Sequence, residues 1–125
     1  MNQKNPVGWF EIYVDDMDRA KKFYQAVFQR GEFIKISDGE IKMFAFPWIE
    51  NGLNSSGALV KTEHMKPGKG GIVIYFSCED CAVEEQLSSE KGGNIIKSKF
   101  SIGDYGFVSI IQDTEGNLIG LHSNK

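Results

Sequence analysis

The sequence predicts an α+β protein built from two copies of one β-α-β-β-β unit, and three observations predict it. A strand running into two acids and then into a helical stretch occurs twice, at an offset of 64 residues: Trp9-Phe-Glu-Ile-Tyr-Val-Asp-Asp-Met17 overlays Val73-Ile-Tyr-Phe-Ser-Cys-Glu-Asp-Cys81. After each helical stretch the pattern returns to period-two alternation in three short segments bounded by turn residues. A chain of 125 residues with 41% hydrophobic and 25% charged side chains has the size and composition of one folded domain.

The first strand covers residues 9–14, and its acids Asp15 and Asp16 suit the positive end of the helix that follows. That helix carries Met17, Ala20, Phe23, Tyr24, Val27 and Phe28 at i, i+3 and i+4 steps. Strands are expected at 32–37, 41–46 and 57–62, with Ser37-Asp-Gly-Glu40 turning between the first two. His64-Met-Lys-Pro-Gly-Lys-Gly-Gly71 has the composition of a linker. The second copy begins with a strand at 71–78, and Glu79 and Asp80 take the place of the first acid pair. Its helix is marked more weakly by Cys81, Val83 and Leu87, and strands follow at 94–97, 107–112 and 118–122, the last after the turn Asp113-Thr-Glu-Gly-Asn117. The expected organisation is a single domain over 1–125, with module 1 at about 7–62, a linker at about 63–70 and module 2 at about 71–123.

Composition excludes several function classes. A net charge of −3 with dispersed Lys and Arg provides no basic stripe for phosphates, so nucleic acid is not an expected partner. The longest apolar run, residues 72–76, is far below the roughly 20 residues a membrane helix needs, and no membrane partner is expected. The N-terminal Met1-Asn-Gln-Lys-Asn-Pro has no apolar stretch to act as a signal, which makes the cytoplasm the expected location. Two cysteines are too few for a disulfide framework. Cys78-Glu-Asp-Cys81 has redox-motif spacing at a helix start, but Cys78 falls on the helix-facing side of its strand and reads as a small packed hydrophobe. The glycines of 68–71 lack the spacing and following helix of a phosphate loop.

One helix covers one face of a four-stranded sheet, so the other face carries the functional question. In the first strand Phe10, Ile12 and Val14 suit the helix, leaving Trp9, Glu11 and Tyr13 opposite. In the fifth, Ile72, Ile74 and Phe76 are expected towards the helix, with Val73, Tyr75 and Ser77 opposite. In the last, Leu118, Gly120 and His122 share the second face. These faces are too aromatic for plain solvent and too polar for a sealed core, as the wall of a ligand cavity is. Phe44, Phe46, Trp48 and Tyr105 can stack on a flat ligand or fill a core, and core filling is the default reading for most of them.

The stretch from Trp9 to Tyr24, the closing Asp113-Thr-Glu-Gly-Asn-Leu-Ile-Gly-Leu-His122 and Gly103-Asp-Tyr-Gly-Phe107 resemble the vicinal oxygen chelate superfamily, which includes glyoxalase I, extradiol dioxygenases and bleomycin-resistance proteins. The resemblance covers nearly the whole chain and looks closest to bacterial glyoxalase-related proteins. It implies two paired βαβββ modules whose sheets form a partly closed cup around a small molecule. It also implies metal-ligand positions on the first and last strands of each module, which fall on Trp9, Val73, Gly120 and, less directly, Leu59. None of these side chains binds a metal, so no metal cofactor is expected.

Glu11 and His122 each lie two residues beyond such a position and stay on the cup side. They make either an acid–base pair or a structural carboxylate and a strand-end imidazole, and the sequence leaves both readings open. His64 reads as a solvated loop residue. The expected protein binds a small organic ligand, partly aromatic or carbonyl-bearing, in a cup lined by Trp9, Glu11, Tyr13, Tyr75 and His122. Two alternatives stand beside this: a metal-dependent lyase or dioxygenase of the glyoxalase I type, and a non-catalytic protein-association module. Exposed strand edges allow a homodimer, while the two modules could equally satisfy one another within one chain, and the sequence does not choose between them. Whether a substrate is turned over is not legible.

Overall fold

The computed structural model describes residues 5–68 and 70–125, which form two compact units: Trp9–Ile72, and Val73–Lys125 together with residues 5–8. The chain runs β1 (Val7–Tyr13), α1 (Met17–Phe28), β2 (Ile34–Asp38), β3 (Lys42–Ala45) and β4 (Ser56–Lys61). It then repeats the order as β5 (Ile72–Ser77), α2 (Cys81–Glu90), β6 (Asn94–Ser101), β7 (Phe107–Gln112) and β8 (Leu118–Ser123). A 3₁₀ turn at Gly103–Tyr105, which the sequence did not announce, interrupts the second copy.

Within the first unit the strands lie in the order β2-β3-β4-β1, with β1 parallel to β4 and the other two pairs antiparallel. The second unit repeats this as β6-β7-β8-β5, with β5 parallel to β8. The same order and the same single parallel pair in both make the duplication a property of topology as well as of sequence.

Both helices start where the acids predict. Asp16 accepts the amide of Arg19 at 3.0 Å, and Asp80 accepts that of Ala82 at 3.0 Å. At the far end of α1, Gln29 takes the left-handed conformation with φ 50°, donating its amide to the Gln25 carbonyl.

On the helix side of the first sheet, Phe46 gathers Phe10, Phe33 and Tyr24, with ring centroids 5.9, 4.8 and 5.9 Å away. Gly57 is required there, because a Cβ would lie 2.3 Å from the Phe10 carbonyl oxygen. The opposite face is the more buried: Ala45 and Ala58 are inaccessible, and Glu11, Tyr13 and Val60 are nearly so. Phe23, Val27 and Phe28 of α1 keep about half their surface exposed.

In the second unit Cys81, Ile111 and Leu121 form the core, with Cys78, Phe107 and Ile119 packed on it. Cys78 thus packs as the sequence predicts. Ile72 and Phe76, expected to be covered by the helix, are exposed. Helix α2 also departs from expectation: Cys81 is buried, but Val83 and Leu87 are exposed. At about 100° per residue, Val83 and Leu87 lie roughly 200° and 240° around the helix from Cys81, so the three cannot share a stripe. The residue one turn on from Cys81 is Glu85, and it faces the sheet. Its Oε1 accepts the Lys99 amide at 2.6 Å and the Ser109 hydroxyl at 2.7 Å, and Ser109 is fully buried. The Ser123 hydroxyl, also buried, accepts the Cys81 amide at 3.0 Å and pins the start of the helix. Polar contacts therefore set the rotation of α2.

Candidate functional site

In the first unit, Trp9, Glu11 and Tyr13 alternate onto one face of β1, as period two requires. The Tyr13 hydroxyl donates to Glu11 Oε1 at 2.6 Å, and the indole Nε1–H of Trp9 points at Glu11 Oε2 from 3.4 Å. Glu11 is 7% exposed, so a carboxylate sits in the apolar face with its orientation fixed by two aromatic neighbours. Beyond it, Trp48 packs edge-on against Trp9, with centroids 6.4 Å apart and planes at 74°. Trp48 is 43% exposed and is not core filling. It lies in the β3–β4 connection, where no periodic signal marks which side a residue takes.

In the second unit, Tyr75 and Gly120 are register partners, and so are Ser77 and His122, which places Tyr75 and His122 on one face of their sheet. The ring of Tyr75 lies directly over Gly120: a Cβ there would be 2.2 Å from Tyr75 Cδ2. His122 Nε2 is 2.6 Å from the Tyr105 carbonyl oxygen. A carbonyl only accepts, so Nε2 carries the proton and Nδ1 is the acceptor nitrogen of the neutral ring. The 3₁₀ turn supplies that carbonyl, and Gly106, at φ 106° and ψ −133°, makes the backbone reversal that only glycine takes readily. Tyr105 itself is 56% exposed and is not core filling either.

The register corrects one position in the metal-ligand comparison. Glu11 pairs with Ala58 as Tyr75 pairs with Gly120, so the first-half counterpart of Gly120 is Ala58. Leu59 pairs with Ile12 and faces the helix side. The four positions then hold an indole, two aliphatic side chains and a bare backbone, and the space above that backbone is taken by the Tyr75 ring. These residues do not fit a divalent ion, and among the described residues no three His, Cys, Asp or Glu side chains cluster.

The remaining sequence candidates are placed as follows. His64 is exposed in the connection between β4 and β5, where its amide bonds the Thr62 hydroxyl. In that connection Gly68 and Gly70 take positive φ and the Gly71 amide closes a turn on the Gly68 carbonyl at 2.9 Å, while Lys69 lies outside the described residues. Burial, helped by the negative charge of Glu84, pushes the Cys78 thiol up to about 12, the reverse of what a redox thiolate needs. The Lys99 ammonium, 2.9 Å from Asp80, together with the Ala82 amide, holds that carboxyl below its ordinary value. The Arg19 amide does the same for Asp16. No described helix is long and apolar enough to cross a membrane.

Set beside known proteins, residues 7–28 match the family model described as bleomycin resistance protein-like N-terminal. No curated protein matches the sequence significantly. Solved structures do match. A methylmalonyl-CoA epimerase in complex with methylmalonyl-CoA and NH4+ shares 17% identity at a TM-score of 0.69, over 94% of this chain and 93% of that one. A hypothetical protein from Bacillus halodurans shares 16% at 0.72, over 95% and 94%. The methylmalonyl-CoA epimerase of Mycobacterium tuberculosis shares 15% at 0.68, over 96% and 88%. At these identities the likeness is one of fold.

Proposed function

We propose that this chain, which has the fold of the vicinal oxygen chelate superfamily, binds a small organic molecule without the help of a metal ion. Trp9, Glu11 and Tyr13, on one face of β1, supply the contact surface, and Tyr75 and His122 share one face of the sheet in the other unit. One observation carries the reading: where a chelating member needs a donor, residue 9 is an indole, edge-packed on Trp48 and tied to the buried Glu11 carboxylate. Two indoles at a steep angle offer a flat ligand both a face to stack on and an edge to meet. The carboxylate beside them gives a polar tip whose direction is fixed by the Tyr13 hydroxyl, and a few fixed polar groups in an apolar wall are what orient small ligands.

Fold alone does not choose the ligand. The epimerase structure holds methylmalonyl-CoA, but the ligand favoured for this chain is a compact, partly aromatic or carbonyl-bearing compound, because the residues identified are rings and a single carboxylate. The imidazole of His122, with Nδ1 as acceptor, would take a hydrogen bond from a ligand hydroxyl or amine.

The chain contains only two tryptophans, and both stand at this surface. Intrinsic fluorescence therefore reads the site directly. Titration with a panel of aromatic acids, quinones and aryl ketones is expected to quench or shift the emission for at least one member, and Trp9→Ala is expected to weaken that binding tenfold or more while the protein stays folded by circular dichroism. Binding that survives Trp9→Ala unchanged would sink the reading. So would a stoichiometric divalent ion in the purified protein, lost together with ligand binding on chelation.

A further inference from the structure

Charge is divided unevenly between the two faces of the first sheet. The face of β1 that carries Glu11 continues through the register as Ser56, Ala58 and Val60 of β4 and as Met43 and Ala45 of β3. Lys42 and Lys61 are register partners on the opposite face, the side of α1, where Lys21 lies 4.1 Å from the centre of the Phe44 ring. Among the described residues, these three strands therefore bring one carboxylate and no basic side chain to the tryptophan side. We infer that the ligand of this surface is an organic cation, a quaternary or fully alkylated ammonium on a small body. The inference rests on the small-molecule binding proposed above and adds the charge of the molecule bound.

Two further observations match that charge to ring faces rather than to directed hydrogen bonds. Oε1 of Glu11 accepts the Tyr13 hydroxyl at 2.6 Å, and Oε2 faces the Trp9 indole N–H at 3.4 Å, so the carboxylate acts on a ligand mainly through its field. Glu11 is nearly buried, where water and salt screen a charge poorly. Trp9 and Trp48 meet with planes at 74°, which makes a corner of two indoles, and Trp48 keeps much of its surface in water. The face of an indole is the negative end of its quadrupole and holds a cation better than any other side-chain ring. A quaternary ammonium suits such a corner, because it has no N–H to satisfy and presents methyl groups to the rings. A primary ammonium would need acceptor oxygens that the rings do not supply. The chain's net charge of −3 favours the approach of a cation as well.

The test uses choline and 3,3-dimethylbutan-1-ol, which share a shape and differ in charge, with tryptophan fluorescence as the readout. Choline is expected to bind about tenfold more tightly. Glu11→Gln keeps the size of the side chain and removes its charge, and it is expected to weaken choline binding about tenfold while leaving the alcohol within about twofold. Trp48→Leu, at a half-exposed loop position, removes the ring and keeps an apolar side chain. It tests the same point if Glu11→Gln does not fold, and it too is expected to weaken choline more than the alcohol. The inference is overturned if the alcohol binds as tightly as choline, or if the folded variants weaken both ligands alike. It falls alone if choline at millimolar concentration does not bind while the aromatic panel quenches the tryptophans and loses that effect on Trp9→Ala. If no compound of either set binds, the proposed function falls with it.

Discussion

Glu85 and Ser109 show how one polar contact decides what a helix presents. Ser109 is fully buried between α2 and the sheet, and its hydroxyl reaches both Glu85 and the Lys97 carbonyl. Ser109→Ala removes the hydroxyl donor from the half-buried Glu85 carboxylate and leaves it the Lys99 amide, and a loss of about 1–2 kcal/mol is expected, read as a lower midpoint in urea. At Cys78 the thiol is pushed up to about 12 and stays protonated through the neutral range. Iodoacetamide at pH 8 is therefore expected to leave Cys78 and the fully buried Cys81 unlabelled in the folded protein, by mass spectrometry of the intact chain. Residue-level reading of the sequence found the caps, because an acid before a helical stretch has few other uses. It placed Cys78 by alternation. It missed Glu85, Trp48 and Tyr105, since hydrophobic periodicity records only apolar side chains and a loop has no period to record.

At the scale of elements, the strands were legible because each is short, alternating and closed off by turn residues: β7 spans the expected 107–112, and β8 extends the expected 118–122 by one residue. β6 runs four residues past its expected end, across two irregularities in its pairing with β7 that break the alternation. The face of each strand followed from period two, while the degree of burial did not, because alternation assigns sides without saying which side is covered. Helix α1 permits two predictions. Gln29 holds a left-handed conformation that glycine adopts freely, so Gln29→Gly is expected to raise stability by roughly 0.5 kcal/mol, the strain relieved less the added chain entropy, measured by thermal unfolding. Asp16 has its folded-state acidity strengthened by the Arg19 amide. A carboxyl whose folded pKa is lowered contributes stability above its ordinary value and loses it as pH falls through the lowered one. Asp16 and Asp80 both act in this sense, so stability is expected to decline as pH drops below about 4. Asp16→Asn is expected to make that decline shallower.

At the scale of the whole molecule, the division of the chain does not follow the sequence order. Residues 5–8 belong with Val73–Lys125, where the Pro6 carbonyl accepts the Ser77 amide at 2.8 Å and a Cβ added at Gly8 would press on the Ser77 hydroxyl. Deletion of residues 1–8 is therefore expected to speed hydrogen exchange at Ser77 and its strand neighbours, while the amides that pair β3 with β4 keep their protection. The repeat was readable because both junctions kept the same order of residue types. The ring of Tyr75 has a last consequence, for the routes open to mutation. A histidine or glutamate arriving at position 120 would find its space already filled by the Tyr75 ring, so placing a donor there has to begin with a smaller residue at 75, a change that by itself brings no donor. Two steps are needed where one would seem enough, and that ordering keeps a metal donor out of this strand.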